Sequence, residues 1–328
     1  MGYNKQNYKR IKEEYGTRAF RAREEAELRR AELYRVIPEV RVIDRQLSDV
    51  GLRIMKAALE EGDCQSAIDA LRAENEQLQS ARNALLEKHG YPKDYTALHY
   101  TCEACKDTGF CGIKMCACMR RALIEAGMES SGLSALMKKQ SFENFSLDYY
   151  KGNQNEYRIM SENYHNLYRY AHSFSMKEGE VAPMNLLLLG GTGLGKTHLS
   201  TAIAGTVIER GYDVYYNSAV GMISDFEHRR FGNGLASDVT DDTVRYTECD
   251  LLIIDDLGTE VVNQFTLSCV YYIVNTRINL GKPTIINTNL MPADLRKTYT
   301  DRISSRLMGE FTVVPFYGTD IRKQKLQG

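Results

Sequence analysis

The stretch LLLLGGTGLGKTHLS, residues 186–200, limits the possible folds of this chain more than any other. Its four leucines read as a buried strand and the residues after Lys196 as a helix, so a glycine-rich turn joins strand to helix. The turn matches G-x-x-x-x-G-K-[ST] in full, with Gly190, Gly195, Lys196 and Thr197 at the defining positions. Such a turn aims backbone N–H groups at a polyphosphate, and the positive end of the following helix adds to their field. Lys196 is placed to neutralise the β and γ phosphates, and Thr197 to ligate Mg²⁺ through its hydroxyl. Gly190, Gly191, Thr192, Gly193, Leu194, Gly195, Lys196, Thr197 and His198 form the candidate ATP site. A chance glycine turn is the alternative, and the flanking strand and helix speak against it.

Four more apolar runs, DVYYNSA, DLLIIDD, PTIINTN and FTVVPFY, are short, β-rich and separated by stretches of helical length. This alternation predicts an α/β fold with a parallel sheet covered on both faces. DLLIIDDLG ends its strand on Asp255 and Asp256. Two carboxylates there are costly unless they face a cation. Asp255 is expected to hold Mg²⁺ through water and Asp256 to orient or activate the attacking water; two surface aspartates before a glycine turn are the plain alternative. At the end of PTIINTN, Asn289, Asn287 or Thr288 is the candidate for positioning that water, although Asn at a strand end is also an ordinary turn residue. Arg302 and Arg306 lie four apart on one helical face, with Arg322 sixteen residues beyond. Arginine is suited to stabilising transferring phosphate charge across a subunit boundary, and a surface pair is the ordinary reading.

The first 90 or so residues are rich in Arg, Glu, Ala and Leu with spaced apolar positions, which predicts helices, a hairpin or bundle with coiled-coil character. Pro38 suits a break, Gly51 a weak interruption, EEGDCQ at 60–65 a turn, and KHGYP a stop, with Gly90 capping and Pro92 ending the helix. Five of the eight cysteines then follow within C-x₂-C-x₅-C-x₄-C-x-C. Two tight pairs bridged by a loop can supply a tetrahedral zinc site, which selects Cys102, Cys105, Cys116 and Cys118, with Cys111 spare and His99 a poorer substitute. A redox C-x-x-C lacks its βαβ context here. Cys64, Cys249 and Cys269 read as core thiols. With 42 basic and 43 acidic residues, no global field recruits nucleic acid, so any such contact is local. The start lacks the apolar core of a signal peptide and no apolar run is long enough to span a bilayer, so a cytoplasmic protein without membrane contact is expected.

Taken in order, the phosphate loop, DLLIIDDLG, PTIINTN, DRISSRL and DIR resemble the AAA+ ATPases of the DnaC/DnaI helicase-loader family, which includes IstB-like transposition ATPases. YTCEACKDTGF…CAC resembles the zinc-binding segment of its Gram-positive-type members. The resemblance implies an AAA+ P-loop core with a five-stranded parallel sheet, preceded by a helical arm and a small zinc module. By position, Lys196 and Thr197 are Walker A, Asp255 and Asp256 Walker B, Asn289 sensor 1, Arg306 the arginine finger with Arg302 in reserve, and Arg322 sensor 2. The sequence ends six residues after Arg322, which leaves no room for a full C-terminal lid and sets the sensor 2 role in question. In AAA+ loaders a helix after the second strand grips single-stranded DNA; Arg229, Arg230 and Phe231 are the matching candidates. The expected organisation is 1–95 partner-binding arm, 96–125 zinc module, 126–180 helical linker and 181–328 ATPase. The implied function is ATP-dependent loading of the replicative hexameric helicase onto single-stranded DNA, with the arm holding the helicase, self-assembly through the finger, and ATP, Mg²⁺ and Zn²⁺ as cofactors. An IstB-like regulator of a transposase and an adaptor with a vestigial ATPase are the alternatives.

Overall fold

The computed structural model describes residues 3–59, 65–137, 139–177, 179–231 and 242–327. Two compact units emerge, Lys12–Met119 and Met1–Ile11 with Arg120–Gly328. Cys64 and the expected turn at 60–64 lie outside the described residues.

The first unit takes the residues of helix α1 (Lys5–Val36) from Lys12 onward, then α2 (Pro38–Leu59) and α3 (Gln65–Lys88). Pro38 is the first residue of α2, where its missing N–H costs nothing. Gly51 is carried inside α2, since a single glycine costs only about 1 kcal/mol there. Gly90 adopts φ 75°, and Tyr91 N–H closes the end of α3 on the Leu86 carbonyl at 2.9 Å. Leu33, Ile37, Val40 and Leu86 form a buried core. A short antiparallel hairpin follows, β1 (Phe110–Cys111) with β2 (Lys114–Met115), then α4 (Ala117–Ser130).

The second unit continues with α5 (Ser134–Met137), a 3₁₀ turn (Leu147–Tyr150) and α6 (Gln154–Ser173). The α/β alternation then runs β3 (Asn185–Leu189), α7 (Lys196–Glu209), β4 (Val214–Ser218), α8 (Ala219–Phe231), α9 (Asp242–Glu248), β5 (Leu251–Leu257) and α10 (Gln264–Asn279). It closes with β6 (Thr284–Thr288), α11 (Pro292–Thr298), α12 (Asp301–Gly309), β7 (Phe311–Pro315) and α13 (Ile321–Gln327). The five apolar runs of the sequence are the five strands, all parallel, in the order β4-β5-β6-β3-β7. Unbroken leucine in β3 follows from burial on both faces: Leu186 and Leu188 enter one core layer, Leu187 and Leu189 the other. Residues 126–180, read as a helical linker, contribute Leu133, Phe142, Tyr150, Met160, Leu167 and Phe174 to the first of these layers. Among the described residues no helix is long and apolar enough to cross a membrane.

Candidate active site and metal centre

The phosphate loop joins β3 to α7. Gly195 takes φ 86° immediately before the helix, and a side chain there would meet the Phe145 ring. Gly193, at φ 76°, leaves room for the Asp320 carboxylate. Lys196 is buried, and its Nζ donates to the Gly190 carbonyl at 2.7 Å, the Gly191 carbonyl at 2.8 Å and Asn289 Oδ1 at 2.7 Å. Burial brings its pKa down to about 8, against the opposing pull of Asp256 and Asp255. Tyr150 donates to the Leu194 carbonyl at 2.8 Å and fixes the loop from beneath. Of the predicted loop residues, His198 is turned to the Ser141 carbonyl at 2.8 Å, edge-on to Phe145, and burial lowers its pKa.

Lys196 gives a pH prediction. A bound triphosphate favours the charged lysine, so between about 8 and its ordinary 10.5 nucleotide binding takes up a proton, whereas well below 8 the lysine is already charged. Calorimetric titration with ATP at pH 9, in buffers of different ionisation enthalpy, should show uptake of most of a proton. Binding enthalpies independent of buffer would contradict it.

Neighbouring residues of a regular strand face opposite sides, so Asp255 and Asp256 could not serve one site in an unbroken β5. The register shifts between Ile254, paired with Ile286, and Leu257, paired with Thr288, so that two aspartates oppose one residue of β6. Asp256 takes φ 53°, a left-handed conformation that costs a non-glycine residue energy. This bulge turns Asp256 into the nucleotide cavity while Asp255 stays buried beneath it. Burial, reinforced by the Asp255 charge, raises the Asp256 pKa against Lys196 and Arg322.

Asp255 accepts from Thr197 Oγ1 at 3.0 Å, Tyr216 Oη at 2.6 Å and Asn287 Nδ2 at 2.7 Å. A threonine hydroxyl beside a carboxylate is an oxygen donor set suited to Mg²⁺. The structure separates the three strand-end candidates. Thr288 bonds the Leu257 carbonyl at 2.6 Å, Asn287 is buried against Asp255 and Ser200, and Asn289 alone reaches Lys196 and Asp256. Tyr216 had no signal in the sequence, because only the sheet order puts β4 beside β5. Tyr216→Phe and Asn287→Ala are each expected to raise the Mg²⁺ concentration needed for half-maximal ATP turnover about tenfold, since supporting partners orient the ligand. Unchanged Mg²⁺ titrations of both variants would remove this role.

Gln140, Asn144, Phe145 and Tyr149 line the far wall of the cavity, together with Arg322 and Lys325. Arg322 reaches the cavity because Ile321 N–H bonds the Gly193 carbonyl at 3.0 Å, which pins the start of α13 to the phosphate loop. Arg302 and Arg306 are on α12 and do not line this cavity; the Arg306 guanidinium lies over the Tyr271 ring at 5.6 Å. In α8, Arg229 donates to Thr243 and Arg230 lies 5.2 Å over the Phe265 ring, while the Phe231 side chain lies outside the described residues.

In the helical unit, the Sγ atoms of Cys102, Cys105, Cys116 and Cys118 all lie within 4.8 Å of one another. Four thiolates bound tetrahedrally at about 2.3 Å from zinc stand about 3.8 Å apart. Cys102 to Cys116 is 3.9 Å and Cys105 to Cys118 is 3.5 Å, so the donor set fits zinc. Cys111 is exposed and turned to the Ala104 carbonyl at 3.3 Å, and His99 is outside the group. Asp107, missed in the sequence, is buried, with its carboxylate accepting from Thr101 N–H at 2.8 Å and Cys102 N–H at 2.9 Å. Lys106 and Asp107 both have positive φ, 51° and 54°, which makes the tight knuckle after Cys105. Cys249 and Cys269 are buried, as expected of core thiols.

Residues 170–327 match the family described as IstB-like ATP binding protein. The chromosomal replication initiator protein DnaA of Rippkaea orientalis is 31% identical over 146 residues, 42% of this chain and 30% of that protein. DnaA of Aliarcobacter butzleri is 29% identical over 121 residues, 37% of this chain and 26% of that protein. The chain thus spans less than a third of the length of these curated relatives. Among solved structures, the DnaC helicase loader is similar over 56% of this chain and 99% of its own, at 20% identity and TM-score 0.46. AMPPCP-bound DnaA from Aquifex aeolicus is similar over 58% of this chain and 55% of its own, at 26% identity and TM-score 0.44. The family match takes in β3, the phosphate loop, both aspartates, Asn289 and Arg322, and through residues 170–327 the chain is similar to the IstB-like ATP binding proteins.

Proposed function

We propose that this AAA+ ATPase loads a hexameric replicative helicase onto single-stranded DNA, with ATP binding and hydrolysis timing DNA engagement and release. The observation that carries the reading is the division of the chain: the nucleotide site lies wholly within Arg120–Gly328, and Lys12–Met119 is a second compact unit of helices and clustered thiols. A loader needs such a unit to hold its cargo while the other responds to nucleotide. The DnaA relatives are chromosomal replication initiators, which supports a place in replication. In this reading residues 1–95 are the helicase-binding arm, and Zn²⁺ on the four cysteines fixes the segment after it. Mg²⁺ sits at Thr197 and Asp255, Asp256 and Asn289 direct the attacking water, and Arg322 senses the phosphates. Arg306, with Arg302 in reserve, reaches a neighbouring protomer's nucleotide, and Arg229, Arg230 and Phe231 contact DNA.

The test uses closed circular single-stranded DNA with an annealed labelled oligonucleotide. A ring helicase finds no free end on the circle, so displacement that requires this protein and ATP supports loading. No stimulation, with the same helicase active on linear substrate, sinks it. The family description favours the IstB-like alternative, which predicts instead ATP-dependent duplex binding and capture of a transposase.

A further inference from the structure

Positions 41, 44, 45 and 48 of α2 follow the i, i+3, i+4, i+7 spacing that ordinarily gives a helix its apolar stripe. Here they are Arg41, Asp44, Arg45 and Ser48. The stripe lines a cavity with Arg30 and Tyr34 of α1, Arg82 of α3, and Thr96. Asp44 is the one carboxylate in that lining, and both of its oxygens are engaged, Oδ1 by Arg82 Nε at 2.7 Å and Oδ2 by Tyr34 Oη at 2.9 Å. Arg82 Nη2 also donates to Thr96 Oγ1 at 2.8 Å, so Asp44 and Arg82 neutralise and fix each other. Arg30 is shared with Glu27 at 2.9 Å. Arg41 and Arg45 are exposed, and among the described residues they make no ion pair or side-chain hydrogen bond. The cavity therefore keeps an uncompensated positive charge, although the chain as a whole carries −1.

We propose that this cavity binds the phosphodiester backbone of nucleic acid. Guanidinium groups and hydroxyls match phosphate oxygens in charge and geometry. An acidic peptide is the less suited occupant, because the lining offers it no aliphatic side chain to pack against. Arg41 and Arg45 stand about 6 Å apart along the helix axis, of the order of the separation between successive phosphates in an extended strand. The site lies in the helical unit, apart from Arg229 and Arg230 of α8, and does not depend on a helicase partner.

The test is fluorescence anisotropy of the full chain with a labelled oligothymidylate, a duplex of equal length and a labelled polyglutamate peptide, across a salt series. Arg41→Ala/Arg45→Ala should weaken binding at least tenfold and reduce the slope of log K against log salt by about 1.4 for a single strand, at about 0.7 per phosphate contact. Arg41→Lys/Arg45→Lys should largely restore both, and ATP turnover without DNA should stay at wild-type level in each. A loss confined to the single strand, or shared with the duplex, identifies the source of the backbone and supports the site in either case. Wild-type affinity and slope in the alanine variant would overturn it. So would weaker binding with an unchanged slope, absent DNA binding by the wild type, or a loss seen only for a polyglutamate probe.

Discussion

Lys196→Ala is expected to lower ATP turnover at least about a hundredfold, the scale on which removing one preorganised charge from a phosphate site acts. The ammonium is buried and held by three acceptors at 2.7–2.8 Å, so its position is set before nucleotide arrives. Arginine should not rescue it, because a planar guanidinium has no place among those acceptors. Under the proposed assembly, Arg306→Ala should fail as severely for a different reason: Arg306 does not line its own chain's cavity, and in that reading its charge serves a neighbouring protomer's nucleotide. Mixing the two inactive variants then pairs an intact Lys196 with an intact Arg306 at some interfaces and should return part of the turnover. A steady-state ATPase assay of the mixture decides this, and no recovery at any ratio would exclude Arg306 as the finger.

Cys116→Ser should remove the metal and with it the order of the segment around the cysteines. The stretch 101–119 is polar, and its buried side chains are few: Cys105, Asp107, Cys116 and Met119. So small a core cannot offset its chain entropy, and in the proposed zinc site metal binding, worth about 10–16 kcal/mol for structural zinc, supplies the folding energy. Zinc content should fall from one per chain to near zero, and limited proteolysis should cut within this segment while the unit that carries the phosphate loop resists. Cys111→Ser serves as the control, since that thiol points away to a carbonyl, and it should keep the full metal content. Full zinc retention by Cys116→Ser would show the ligand choice wrong.

Much of the site was legible because its signals are local. G-x-x-x-x-G-K-[ST] requires adjacent residues to shape one turn, and the paired cysteines require only short spacings, so Lys196, Thr197, Cys102, Cys105, Cys116 and Cys118 were readable as they stand. The five strands were readable because doubly buried strands carry unbroken apolar runs. The stretch QSFENFSLDYY gave no such signal: its aromatic residues read as a connector, whereas Phe142 and Tyr150 enter the core and Phe145 and Tyr149 wall the nucleotide cavity. A wall made by residues some fifty positions before the loop they face leaves no periodicity to find.

The sequence by itself determined the fold class, the phosphate loop, the aspartate pair and which four cysteines cluster, since each depends on neighbours along the chain. Only the tertiary structure decided which strand-end residue meets Lys196, that a bulge lets both aspartates serve one site, and that Tyr216 and Asn287 hold Asp255. It also decided that Arg322 reaches the cavity from α13, because a single backbone hydrogen bond to Gly193 sets where that helix begins. The reason is the same in each case: parallel strands far apart in sequence become neighbours through helical crossovers, and the order in which they pair is a global property of packing that local residue patterns do not encode.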